Sequence, residues 1–172
     1  MREIRGDAKN IRSLLNGAKF AIDYYQREYR WKKKQVAELI NDLADKFGES
    51  HEAGNERSAV GDYGHYFLGS IIISDKEGQK FIIDGQQRLT SLTLLLIHIY
   101  RQLEDEQQKG QLADLIFSTK FGKRSFNLDV EERTSCMEAL FTGSIFGENG
   151  QSESVVNILH RFQDIEEIFP ED

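Results

Sequence analysis

Ile82-Ile83-Asp84-Gly85-Gln86-Gln87-Arg88-Leu89-Thr90-Ser91-Leu92 decides how this chain is read. An apolar run of strand character meets a glycine, and polar side chains then open a long apolar helix. The first turn of a helix leaves backbone N–H groups without intrahelical partners, and its dipole favours negative charge beyond the tip. An α/β protein offers an anion site at such a place. Gly85 permits close backbone approach. Arg88 adds a planar fork of donors able to take two phosphate oxygens. Asp84 can hold Mg2+, directly or through water, or orient Arg88. Gln86 and Gln87 suit contact with base, sugar or an attacking water. A plain helix start, with Asp84 as N-cap and Arg88 on the surface, uses the same residues, and the stretch is not a Walker A sequence.

Working outward, residues 80–83 form the strand that feeds this helix, and residues 66–73, rich in Ile and aromatics, read as a buried partner strand. Asp75-Lys76-Glu77-Gly78 is the turn between them. The helix is expected over residues 86–107, with Leu89, Leu92, Leu95, Leu96, Ile99 and Leu103 on a broad apolar face. Upstream, a short helix over 7–16 stops at Gly17, a strand covers 19–22, and a helix over 32–47 carries Val36, Leu39, Ile40, Leu43 and Phe47 on one face. Residues 48–64 are polar and glycine-containing and read as a flexible loop. Beyond Gly110 the pattern gives a short helix, a strand over 125–128, a helix over 131–141 and a last helix over 152–168. The class is α+β. A nucleotide-binding core over residues 1–110 precedes a mostly helical extension over 111–172.

Bulk properties bound the function. The 172 residues fit one domain with an appendage, and a formal net charge of −7 argues against non-specific grip on nucleic acid by the whole surface. Cys136 stands alone, so no intrachain disulfide forms, and a reduced, cytoplasmic setting fits. No apolar stretch is long enough to span a bilayer, so no membrane partner is expected. The last residues, Phe169-Pro170-Glu171-Asp172, read as a natural tail or as a boundary within a longer protein. His51, His65, His98 and His160 are scattered and receive no role, His98 being a core or interface residue.

A second constellation is Tyr25-Gln26-Arg27-Glu28-Tyr29-Arg30-Trp31, expected to be an ordered loop. Aromatics interleaved with arginines can stack bases and bind phosphate. Trp31 suits the core, whereas Gln26, Arg27 and Arg30 lean towards function, and Lys32, Lys33 and Lys34 extend the positive patch. A DNA-binding reading would use Arg27, Arg30 and Lys33. In Phe67-Leu68-Gly69-Ser70, Gly69 marks a place where a backbone or ligand comes close, or a packing need.

Three blocks in this order, Tyr25 to Trp31, Tyr66-Phe67-Leu68-Gly69-Ser70-Ile71 and Ile83 to Leu92, resemble the N-terminal domain of the GmrSD-type restriction proteins, a group that includes the SspE proteins. Phe126-Asn127-Leu128-Asp129 resembles the family's next block more weakly. The resemblance implies a ParB/sulfiredoxin-like fold, a small mixed sheet with a nucleotide-binding helix tip. It implies Mg2+-dependent hydrolysis of a nucleoside triphosphate (NTP) by the Asp-Gly-Gln-Gln-Arg motif, here Asp84 to Arg88. Asp84, Gln87 and Arg88 become the catalytic candidates, with Asp84 on the metal. Tyr25, Gln26, Arg27, Gly85, Gln86 and Arg88 become the nucleotide-binding ones. It further implies antiviral defence, with DNA and a C-terminal nuclease domain or nuclease partner engaged by the full-length protein. No nuclease motif occurs in this segment. Asp23 stands where the family carries Pro, two residues before the Tyr, which changes how the loop leaves its strand.

Overall fold

The computed structural model describes residues 5–169 except Arg27 and Phe121, and for Tyr24 and Lys120 the backbone alone. Two sheets and six helices lie within that range. Helix α1 (Ile11–Leu15) is capped by the Asn10 side chain, which accepts from the Ser13 N–H at 2.8 Å, and it ends at Gly17 with φ +66°. Strand β1 (Phe20–Ile22) follows, and then α2 (Lys33–Gly48), whose Val36, Leu39 and Ile40 are buried. Strands β2 (Ile72–Lys76) and β3 (Gln79–Asp84) form a hairpin closed by Glu77 and Gly78 at φ 55° and 78°. Two central residues at positive φ match the twist of the flanking strands.

The four-stranded sheet has the order β2-β3-β1-β6, where β6 is Leu128–Asp129. β1 runs parallel to β3, with Ile22 opposite Ile82, and parallel to β6, with Ala21 opposite Asp129. β2 is an antiparallel edge. Strands β4 (Phe117–Lys120) and β5 (Lys123–Phe126) make a separate hairpin. The chain is thus α+β, with a small mixed sheet and a second half dominated by helices.

Helix α3 (Gln86–Gln102) is the axis of the molecule. Its Leu89 and Leu92 join Leu15, Phe20, Leu39 and Ile82 in a core against the sheet. Its Leu94, Leu95 and Ile97 join a larger core with Val36 and Ile40 of α2 and the helices that follow. A helix buried on both sides needs apolar or internally bonded residues all round, and α3 supplies them: Thr93 is buried with its hydroxyl donating to the Leu89 carbonyl at 2.9 Å. The last helix, α6 (Glu153–Ile168), is capped by Ser152 and buries Val155, Ile158, Leu159, Phe162 and Ile165 in the same larger core. Both the sheet and that core run across residue 110.

Several sequence expectations change. The helix from residue 86 stops at Gln102 rather than near 107, because Leu103 is extended and Asp105 caps a new helix, α4 (Glu106–Ile116). The Asp105 carboxylate accepts from the Gln108 N–H at 2.7 Å. The strand expected over 125–128 divides at Asn127, whose buried amide donates to the Leu15 and Leu115 carbonyls at 3.0 and 2.8 Å. Helix α5 (Thr134–Thr142) starts after a 3-10 turn at Glu131–Arg133. Residues 66–71 are not a buried strand; β2 begins only at Ile72, and Ile72 and Ile73 are exposed. The polar segment 48–64 contains a 3-10 turn, Arg57–Asp62. His98, by contrast, is the core residue expected, edge-on to Phe162 and Phe169.

Candidate functional site

Parallel strands carry their C-terminal ends to one edge of the sheet, where α/β proteins place ligands. Here the register brings the ends of β1, β3 and β6 side by side. Loop 23–31 leaves from β1, Gly85 and α3 leave from β3, and the turn at Glu131–Arg133 follows β6. The two sequence constellations therefore meet, and Gln87 joins them directly. Its Oε1 accepts from the Arg30 N–H at 2.9 Å and the Trp31 N–H at 3.3 Å, while its Nε2 donates to the Glu28 carbonyl at 2.8 Å. That side chain holds a loop.

Gly85 is the N-cap of α3, at φ 93°. Only glycine reaches this backbone conformation without strain, and a Cβ there would also press on the Ile71 side chain, 3.1 Å away. Asp84 is the last residue of β3 rather than the cap, and its carboxylate is largely exposed, 3.8 Å from Arg88 Nη2. Gln86 opens the helix, and its amide oxygen is buried without a hydrogen-bond partner among the described residues, as is that of Gln26. Such a group costs about 1–3 kcal/mol when left unmade.

Arg88 turns the other way from Gln87. Its Nη1 donates to the Leu68 carbonyl at 2.7 Å and its Nη2 to the Ser70 carbonyl at 2.8 Å. The backbone of residues 68–70 is therefore held by a guanidinium instead of a sheet ladder, while the Tyr66 hydroxyl donates to Asp42 Oδ2 at 2.9 Å and Leu68 and Ile71 pack on the core. Gly69, between those carbonyls, has φ +98°, and a Cβ built on it would collide with Arg88 Nη1. The close approach expected at Gly69 is thus made by a side chain.

Tyr29 anchors the first loop from inside. Its N–H donates to Ser154 Oγ at 2.9 Å, and its carbonyl accepts from Asn157 Nδ2 at 3.0 Å, both on α6. Its hydroxyl lies 2.7 Å from Ser91 Oγ, whose own proton goes to the Gln87 carbonyl at 2.9 Å. The phenol must therefore donate. Burial pushes its pKa up to about 12, which keeps it neutral. Trp31 is half-buried and its carbonyl accepts from Arg161 Nη1 at 3.3 Å.

Tyr25 is 92% exposed at the rim. A cleft of about 310 Å³ opens beside it, with Glu28, Arg30, Glu132, Ser152 and Glu153 among its lining. The cations that suggested DNA contact have partners within the protein. Arg30 pairs with Glu28, and Lys33 pairs with Glu167 at 2.5 Å and Asp164 at 3.4 Å. The hydrogen bond to Glu167 raises the Lys33 pKa. Arg27, expected to bind nucleotide or DNA, lies outside the described residues. No group of three or more His, Cys, Asp or Glu among the described residues could hold a metal ion. A cation here would depend on Asp84 together with oxygens of its ligand.

Ser91, Ser154 and Asn157 were not singled out by the sequence, because isolated small polar residues on apolar helices carry no spacing signal. No helix among the described residues is long and apolar enough to cross a membrane. No curated protein matches the chain. The model of the GmrSD restriction endonuclease N-terminal domain matches residues 11–169, which takes in all three blocks and both clasped loops. The chain therefore belongs to the family of GmrSD restriction endonuclease N-terminal domains, and with it to restriction and anti-phage defence.

Proposed function

We propose that this domain binds an NTP with Mg2+ at the C-terminal edge of β1 and β3 and hydrolyses it, as the regulatory part of a restriction protein. One observation carries the reading. Two neighbouring strand ends each deliver a glutamine, Gln26 and Gln86, whose buried amide oxygen has no hydrogen-bond partner among the described residues. Most buried polar groups are paired, although the Ser118 hydroxyl and the Asn127 amide oxygen also lack a partner among the described residues. An amide oxygen accepts, so its missing partner is a donor: a base amino group, a ribose hydroxyl or a metal-bound water.

The residues suit the metal as well. Mg2+ keeps several waters and takes one or two carboxylates plus substrate phosphates, and Asp84 offers an exposed carboxylate at the helix tip. Bound there, the ion would draw charge from the phosphate oxygens. The α3 N-terminus would face the anion with its dipole. Arg88, fixed by the Leu68 and Ser70 carbonyls, brings a positive charge that need not reorganise as charge develops on the transferring phosphoryl group. Water would attack the γ-phosphorus and give its proton to a γ-phosphate oxygen, the bond to the β–γ bridging oxygen would break, and the nucleoside diphosphate would leave with that electron pair. Gln87 acts through the loop it holds, and Tyr25 at the rim offers a face for the base. In a restriction protein this cycle would gate a nuclease carried elsewhere.

Phosphate release from each of the four ribonucleoside triphosphates with Mg2+ tests the reading. The wild-type domain should turn over at least one of them, and Asp84→Asn and Arg88→Ala should each lower turnover about a hundredfold, to a rate still measurable, while circular dichroism stays unchanged. Equal turnover in folded Arg88→Ala would defeat it.

A further inference from the structure

Within the Phe67-Leu68-Gly69-Ser70 stretch, Gly69 has been given no part in the chemistry above, yet the structure ties it to Arg88. The guanidinium sits between two successive-but-one carbonyls, Leu68 at 2.7 Å and Ser70 at 2.8 Å. A carbonyl pincer of this kind fixes both position and plane of a fork-shaped donor. It closes only because the residue between the carbonyls has no side chain. Any Cβ on Gly69 would occupy the space of Arg88 Nη1, and Gly69 holds φ +98°, which L residues rarely adopt.

We propose that Gly69 is a positioning residue for the candidate site: the Leu68–Gly69–Ser70 pincer aims Arg88 at the tip of α3. The proposal rests on the NTP reading for its functional consequence, and on the pincer geometry alone for its structural one. Five N–H donors leave the guanidinium a surplus after two carbonyls are served, and Asp84 lies 3.8 Å away on the side of the helix tip. The segment that carries Gly69 is seated by the Tyr66 hydroxyl on Asp42 and by Leu68 and Ile71 on the core, and Arg88 holds its backbone at Leu68 and Ser70. Phe67 is 83% exposed and Ser70 is exposed. Arg88 and Gly69 therefore depend on each other. The guanidinium orders the segment, and the segment orients the guanidinium.

Gly69→Ala tests this through two independent readouts. In 15N NMR of the wild-type domain, the Arg88 Nη groups should show the restricted rotation of a clasped guanidinium, and in Gly69→Ala they should average to a free signal. NTP turnover should fall about a hundredfold through kcat, the scale of a misplaced catalytic group, with KM changed less than about threefold. Gly69→Ala combined with Arg88→Ala should be no slower than Arg88→Ala alone, because the two act as one unit. Unchanged Arg88 signals in Gly69→Ala, or losses that multiply in the double variant, would overturn the proposal. Should Gly69→Ala not fold, Arg88→Lys decides, since one ammonium keeps the charge but cannot span both carbonyls. A matching loss of kcat supports the pincer, and wild-type turnover overturns it. Absence of turnover in the wild type defeats the NTPase reading alone, and the NMR comparison still decides whether Gly69 positions Arg88.

Discussion

Residues 28–31 and residues 66–71 are both irregular segments hung on the first turn of α3, and they are hung in different ways. The first is held by several side chains reaching its backbone: Gln87 from α3, and Ser154, Asn157 and Arg161 from α6. At its centre Tyr29 is 1% exposed. The second has its backbone held between Leu68 and Ser70 by one guanidinium; its other anchors are side chains, the Tyr66 hydroxyl on Asp42 and Leu68 and Ile71 on the core, while Phe67 stands in solvent. Redundant polar bonds around a buried ring make a fixed wall. A single charged clasp around a glycine, between side chains seated on the core, makes a wall whose backbone path at 68–70 depends on one residue. The consecutive pair Gln87-Arg88 thus does two unlike jobs, because a step of one residue along a helix turns the side chain by about a third of a turn.

The largest effect is expected at Tyr29. Tyr29→Ala empties a site closed on all sides, and by analogy with buried aromatic truncations it should cost about 3–5 kcal/mol in a urea melt. A midpoint within error of wild type would show that the first loop is not anchored from inside.

A pH titration sharpens the same point. The Tyr29 phenol titrates at about 12 in the folded protein against 10.0 in the open chain. A raised pKa on an acid favours the neutral form, so this contribution is complete below pH 10 and is lost as pH rises towards 12. Wild type should lose about 2–3 kcal/mol relative to Tyr29→Phe across that window. Parallel curves for the two proteins from pH 9 to 12 would contradict the buried, donating phenol.

Arg88→Ala against Gln87→Ala separates the two anchors. Loss of the charge-assisted bonds of Arg88 should cost about 1.5–3 kcal/mol and raise amide exchange throughout 66–71 by more than tenfold. Gln87→Ala should loosen 28–31 much less, since Ser154 and Asn157 still hold Tyr29. Equal exchange changes at the two segments would erase the distinction. The smallest effect belongs to Arg30→Ala. The exposed Arg30–Glu28 pair should shift the melt by under about 2 °C, because the bond that matters uses the backbone N–H of Arg30.

The sequence made the strand-to-helix passage at Ile82–Leu92 legible, since an apolar run, a glycine and a helical period leave little alternative. It also marked Gln87, Arg88 and Gly69 as unusual. Their partners were not legible. A hydrogen bond from Arg88 to the carbonyls of Leu68 and Ser70 spans up to 20 residues and has no period. The β-rich composition of residues 66–73 suggested a buried strand, and Gly69 at positive φ interrupts it. The helix break after Gln102 was hidden because Leu103 continues the apolar face, and the capping Asp105 sits inside a run of acids that reads equally well as helix surface.

A thermal melt of the wild-type domain, titrated with each of the four ribonucleoside triphosphates in the presence of Mg2+, puts the nucleotide site to its most direct test. Binding to the folded state alone raises the melting temperature with ligand by mass action. At least one triphosphate should give such a rise in wild type and a much weaker one in Asp84→Asn. A flat response to all four, at concentrations up to the millimolar range, would contradict the account.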